Sequence, residues 1–186
     1  ESRQAIRLHP QRLDTLVGKV LRIIPDLKEH VGSSSVSDNQ RYRIPNDNPF
    51  VNLGGARTEI WAYGFRNPHR LTWAVDEARP PRATLIANSV GLHTWETVNI
   101  VRRGDNYGYP LREGNERLLI ENTTSALPTP DRIPIRVSDT ATGEDVTPHY
   151  PVIEYPHVAG GGDAIGSGFL YTGRRLPALR GKYIFT

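Results

Sequence analysis

In Ala62-Tyr63-Gly64-Phe65-Arg66-Asn67-Pro68-His69-Arg70 a guanidinium and a carboxamide stand side by side between a glycine and a proline. Pro68 favours an extended Asn67, and Gly64 permits close approach of the backbone. Arg66 and Asn67 are then held at the end of a strand. A guanidinium offers a rigid donor fork that matches carboxylates, and its flat face stacks on rings, so the pair suits an anionic planar ligand. The alternative is an arginine that satisfies strand-end carbonyls and an asparagine that makes a local turn.

A second cluster follows in "NSVGLHTWETVNIVRRGDNYGYP", residues 88–110. Gly91 can turn the backbone so that neighbouring carbonyls face a cavity, and hard cations such as Ca²⁺ accept carbonyls together with carboxylates. Glu96 and the backbone around Tyr107 are candidate ligands. The alternative is a hairpin with a solvated Glu96 and a core Trp95. Other chemistries lose support. The six histidines show no zinc-binding spacing beside a carboxylate, there is no cysteine, and no Gly-x-Ser-x-Gly elbow occurs. The glycines of "AGGGDAIGSG" run into a strand pattern, not into the helix that would hold a phosphate.

The elements that must carry these residues read as strands. Apolar runs recur at "KVLRII", "EIWAYGF", "LTWAV", "ATLIA", "TVNIV", "YPVIEY", "GFLY" and "KYIF", rich in the β-branched and aromatic residues that suit a pleated surface. Breaker clusters such as "GSSSVSDNQ", "EARPP" and "AGGGDAIGSG" separate them. No segment beyond the first twenty residues carries a helical period. Many short strands with turn signals predict an all-β sandwich, barrel or propeller. A shared Gly-Lys turn in "VGKVLRI" and "RGKYIFT" suits repeated four-stranded blades of about 40–50 residues, of which the chain would hold about four. The whole chain is expected to be one domain, with residues 110–148, rich in Thr, Pro and charge, as a long surface loop.

A chain of 186 residues with 37% hydrophobic content is long enough for a core and lacks any run of roughly 18 apolar residues for a membrane helix. Its charge of +3 arises from 23 basic and 20 acidic residues without a basic stripe. Nucleic acid is therefore not an expected partner. The start "ESRQAIRLHPQR" has no signal-like apolar region, so an exported form would already have lost its signal. Trp61, Trp73 and Trp95 fall in strand patterns that predict core packing.

The motifs "GKVLRI", "YRIPNDNPFV", "EIWAYGFRNPHRL", "TWETVNIVRRGDNYGYP", "PVIEYPH" and "LPALRGKYIF", in this order, resemble the glucose/sorbosone dehydrogenase family, the soluble quinoprotein aldose sugar dehydrogenases. The resemblance implies a six-bladed β-propeller of the quinoprotein glucose dehydrogenase type, of which three to four blades would be present. It implies pyrroloquinoline quinone (PQQ) and Ca²⁺ as cofactors, an aldose as substrate oxidised at the anomeric carbon, an external electron acceptor, and a periplasmic or secreted location. By the same resemblance Arg66 and Asn67 would lie at the quinone, and the carbonyls of Gly91 and Leu92 would hold the calcium beside it. A further calcium would use Glu96 and the region of Tyr107.

Departures from the family pattern qualify these expectations. Thr97 stands where the motif has a second glutamate, and the "GLH" loop is less polar than usual. The His-x-Gly-Gly motif with the family's catalytic base does not occur, so no catalytic residue is assigned and the chain is expected to be a piece of a longer propeller, inactive alone. Its open blade edges predict aggregation or dimerisation in isolation. The rival expectations are a non-enzymatic propeller, like the hedgehog-interacting proteins, or a glycan-binding module.

Overall fold

The computed structural model describes residues 3–75, 83–158, 162 and 164–186. Among them the chain forms fifteen strands: β1 (Lys19–Leu21), β2 (Ser34–Val36), β3 (Arg43–Pro45), β4 (Ile60–Tyr63), β5 (Arg70–Val75), β6 (Ala83–Ser89), β7 (Trp95–Val101), β8 (Arg112–Glu113), β9 (Glu116–Leu118), β10 (Thr124–Ser125), β11 (Ile133–Arg136), β12 (Thr142–Val146), β13 (Ile153–Pro156), β14 (Gly168–Leu170) and β15 (Tyr183–Phe185). The one α-helix among these residues is the short Arg3–Arg7. All eight apolar runs became strands. The turn expected at residues 77–81 lies outside the described residues, as do residues 159–161 and 163 of the glycine-rich stretch.

The chain divides into two compact units. The first comprises residues 1–65, 102–110 and 128–149. It contains three antiparallel pairs, β1 with β4, β2 with β3 and β11 with β12. Leu13, Phe50, Ile60 and Tyr63 form its core, and the Phe50 ring meets Tyr63 edge-on at 5.7 Å between centroids.

The second unit comprises residues 66–101, 111–127 and 150–186. Its centre is a four-stranded antiparallel sheet in the order β13-β7-β6-β5. Side chains alternate across a strand, so Ala74, Ile86 and Val98 share one face and build a core with Ile165. Tyr155, Leu170, Tyr183 and Phe185 pack against that core. The opposite phase of edge strand β5 carries Leu71, Trp73 and Val75, all exposed. Trp73, expected in a core, is 62% exposed. Alternation marks which residues share a face; it does not say which face a neighbouring layer covers.

Residues 110–148, expected as a loop, contain the five short strands β8 to β12. The strands β8, β9 and β10, of two or three residues, show too few alternations to register as a period-2 pattern, and β12, Thr-Gly-Glu-Asp-Val, has no apolar alternation to show. The hairpin between β8 and β9 turns on Gly114 and Asn115, with Gly114 at φ +57°, a conformation that favours glycine at that position. Two contacts seat this hairpin on the main sheet. Glu154 of β13 accepts hydrogen bonds from the backbone and side-chain amides of Asn115 at 2.9 and 3.1 Å, and the Trp95 indole N–H donates to Glu116 at 2.8 Å.

Candidate functional site

The segment that carries Arg66 and Asn67 runs along the end of β6. Val90 N–H donates to the Asn67 carbonyl at 3.1 Å, and Asn67 N–H donates to the Ser89 hydroxyl at 3.4 Å. His69 N–H closes a three-residue turn over Pro68 onto the same Asn67 carbonyl at 2.9 Å. Main-chain contacts thus fix the Asn67 backbone, next to Arg66, and leave both side chains largely unspent among the described residues. Among the described residues the half-buried Arg66 guanidinium makes one long hydrogen bond, 3.4 Å to the Val90 carbonyl. The exposed Asn67 carboxamide makes none among the described residues.

Val90 opens the loop to β7, and that loop is organised from within by carboxylates. The N–H groups of Leu92, His93, Thr94 and Trp95 all donate to Oε1 of Glu113, at 2.8, 2.8, 2.9 and 3.2 Å. Consecutive amides converging on one oxygen form an anion nest, and here the anion is a side chain of the same unit. Glu113 is 5% exposed, and its Oε2 is buried without a hydrogen-bond partner among the described residues. Gly91 N–H donates at 3.2 Å to Oε1 of Glu96.

Every peptide between Val90 and Trp95 is trans. In a planar trans peptide the carbonyl points opposite to the N–H of the next residue. The inward N–H groups of Leu92 and His93 therefore direct the carbonyls of Gly91 and Leu92 away from Glu113. Neither carbonyl accepts a hydrogen bond among the described residues. The Val90 carbonyl, opposite the Gly91 N–H, is the one that meets Arg66. Gly91 is needed here for close approach and not for an unusual φ: a Cβ at this position would collide with the Trp95 carbonyl oxygen.

Glu96 differs from its expected role. It is fully buried, and its two oxygens accept from protein donors: Oε1 lies 2.6 Å from His157 Nε2 and takes the Gly91 amide, and Oε2 takes the Ile165 amide at 3.0 Å. A carboxylate so engaged ties the loop before β7 to the segments of His157 and Ile165. Thr97 shares in this scaffold by donating to the Ser89 carbonyl at 3.2 Å. Tyr107 belongs to the first unit, where its ring stacks on Phe65 at 4.2 Å and its backbone N–H donates to the Tyr63 carbonyl at 2.9 Å. Burial raises the Tyr107 phenol above its usual range.

Sequence reasoning missed Glu113, and it placed His157, with His69, either at a pocket mouth or in a loop without its partner Glu96. Glu113 lies in the presumed loop, where the turn residues Gly114 and Asn115 are the signal that could have marked a hairpin. His157 is joined to Glu96 across 61 positions, a pairing that no local pattern records. His69 has its Nδ1 buried without a hydrogen-bond partner among the described residues.

Comparison with known proteins bears on this arrangement. A family model described as glucose/sorbosone dehydrogenase matches residues 1–129, which include Arg66, Asn67, Gly91, Leu92 and Glu113. The chain belongs to the glucose/sorbosone dehydrogenase family. It is 29% identical over 182 residues to the HIPL1 protein of Arabidopsis thaliana, covering 94% of this chain and 24% of that one. It is 36% identical over 101 residues to the aldose sugar dehydrogenase YliI of Escherichia coli, covering 54% of this chain and 22% of that one. The crystal structure of the soluble aldose sugar dehydrogenase from Escherichia coli in the apo-form superposes with a TM-score of 0.60 at 26% identity, over 96% of this chain and 41% of that one. The chain spans about a quarter of the length of the curated relatives it matches. Its fold is the expected all-β one, part of a propeller of the quinoprotein glucose dehydrogenase type.

Proposed function

We propose that the second unit supplies part of a PQQ and Ca²⁺ site in an aldose-oxidising dehydrogenase. The observation that carries this reading is the pair of unspent carbonyls of Gly91 and Leu92, directed away from Glu113 on a loop whose Val90 carbonyl meets Arg66. Calcium accepts backbone carbonyls as ligands, and it does not depend on the side chains of the "GLH" loop. Arg66 offers most of its donor fork to a carboxylate of the cofactor, and Asn67 adds a carboxamide that can donate and accept. The donor set therefore fits both groups.

PQQ, when bound, supplies a two-electron acceptor for the aldose. The work of this chain's residues is to bind and orient. The charge of Arg66 favours an anionic ligand and its flat fork fixes the plane in which a carboxylate sits. The bracing of the Asn67 backbone by Ser89, Val90 and His69 lowers the cost of ordering this segment around a ligand.

The test is titration of the chain with PQQ, with and without Ca²⁺, followed by quinone absorbance. Wild-type binding strengthened by Ca²⁺ and weakened at least about tenfold by Arg66→Ala supports the reading, since a charge-assisted pair is worth roughly 1.5–3 kcal/mol. Equal affinity of Arg66→Ala, or no effect of Ca²⁺, overturns it. In the full-length protein, dye-linked aldose oxidation should require added PQQ.

One observation favours a second reading, a glycan-binding module: Trp73 is exposed beside Leu71 and Val75. Sugar binding that is lost in Trp73→Ala and independent of PQQ would support it.

A further inference from the structure

We propose that Glu113 is the positioning residue of this site: by drawing four successive amides of the 91–95 loop onto one carboxylate oxygen, it turns the carbonyls of Gly91 and Leu92 outward and presets them as cation ligands. The assignment rests on the reading of those carbonyls given above.

A glycine-containing loop of this length has many conformations, and in most of them neighbouring carbonyls point in different directions. Holding two successive N–H groups on one acceptor turns the two carbonyls that precede them to the other side. Glu113 does this with Leu92 and His93 at 2.8 Å each, and the contacts to Thr94 and Trp95 extend the hold to the start of β7. The two N–H groups behind Gly91 and Leu92 are the shortest of the four.

Glu113 is itself rigidly placed. It forms the last position of β8, opposite Glu116, beside a turn whose Asn115 is clamped by Glu154 and whose Glu116 accepts from the Trp95 indole. Trp95 ends the loop, so the hairpin and the loop brace each other at two points. The buried Oε2 of Glu113 has no donor among the described residues, so the hydrogen bonds that compensate its carboxylate there are the loop amides on Oε1. Through the loop, that charge adds to the attraction for a cation on the outer face. Glu113 neither touches the cation nor the quinone in this assignment; it acts through the backbone of residues 91–95.

Two quantities test it on the full chain: hydrogen exchange of the amides of residues 92–95, and Ca²⁺ uptake by titration calorimetry in the presence of PQQ. Glu113→Ala should speed exchange of those four amides at least tenfold, leave the amides of β5 and β6 unchanged, and weaken Ca²⁺ uptake at least tenfold. Glu113→Gln keeps an acceptor oxygen without the charge, so it should keep the loop closed and weaken uptake by a smaller factor. Should Glu113→Ala not fold, Glu113→Gln decides alone: wild-type Ca²⁺ affinity in that variant overturns the assignment. Freed amides in Glu113→Ala with Ca²⁺ uptake at the wild-type level also overturn it. A wild-type chain that takes up no Ca²⁺, while Glu113→Ala alone frees the amides, supports Glu113 as organiser of the loop and sinks the cation reading instead.

Discussion

His157 Nε2 stands 2.6 Å from Oε1 of a Glu96 that has no solvent exposure at all. The same carboxylate accepts the amides of Gly91 and Ile165, so one side chain ties the loop before β7 to two later segments of the second unit. Removing one partner of a buried pair leaves the other uncompensated and costs several kcal/mol, about 3–5. Glu96→Ala and His157→Ala should each destabilise the chain strongly in urea unfolding, with the double variant well short of additive. Additive losses would show that the two side chains do not act as a pair.

Gln11 and Asn106 form the corresponding lock of the first unit. The Gln11 amide donates to Asn106 Oδ1 at 3.0 Å while Asn106 Nδ2 donates to Gln11 Oε1 at 2.8 Å. Gln11 also reaches the Tyr109 carbonyl at 2.8 Å, and Gly108 N–H donates to Asn106 at 2.9 Å. Either residue replaced by leucine leaves buried donors and acceptors unpaired, at roughly 1–3 kcal/mol each. A double-mutant cycle of Gln11→Leu and Asn106→Leu should give a coupling of about 0.5–3 kcal/mol; zero coupling would disprove the reciprocal pair.

These locks mark the limit of what the sequence makes legible. Every apolar run became a strand because period-2 alternation is local; Arg66 and Asn67 stood out by side-chain type and Gly91 by its conformational freedom, while Leu92 was named only through the family resemblance. Glu96 was read as a cation ligand or a solvated side chain, and residue type does not show that it is buried against His157 and the Ile165 amide. Beyond the adjacent turn, Glu113 was not legible because its partners are four backbone N–H groups, which every residue other than proline possesses. Trp73 was misplaced for a related reason: the pattern of β5 fixes a face, and exposure depends on what packs against it.

Lys19 makes stability depend on pH in the first unit. Its ammonium donates to the carbonyls of His9, Pro10 and Val17 at 3.0, 2.9 and 2.7 Å, and burial pushes it down to about 7 against the neighbouring Asp14 charge. The three acceptors offset part of that burial cost. Between about pH 7 and the ordinary lysine value of 10.5 the unfolded chain holds the proton that the folded chain has lost, so the Lys19 contribution to stability rises with pH across that window. Below pH 7 both states are protonated and the full penalty is present. The stability of the wild type relative to Lys19→Met should therefore improve from pH 7 to 10. A flat or falling difference by denaturant unfolding would contradict this.

Gly91→Ala and Gly32→Ala separate two ways in which a glycine matters. Neither residue has a positive φ, so neither change carries backbone strain. At Gly32 an added Cβ meets nothing within 4 Å, and the lower entropy of the unfolded chain should make the variant neutral or about 0.4–1 kcal/mol more stable. At Gly91 the added carbon meets the Trp95 carbonyl oxygen, a backbone atom that cannot swing aside. The loop has to move, and that loop is fixed by both Glu113 and Glu96. Gly91→Ala should therefore cost about 1–3 kcal/mol or more and accelerate exchange of the 92–95 amides, with Gly32→Ala as the control. Equal stability of the two variants would mean that the loop does not pack onto the Trp95 carbonyl as described.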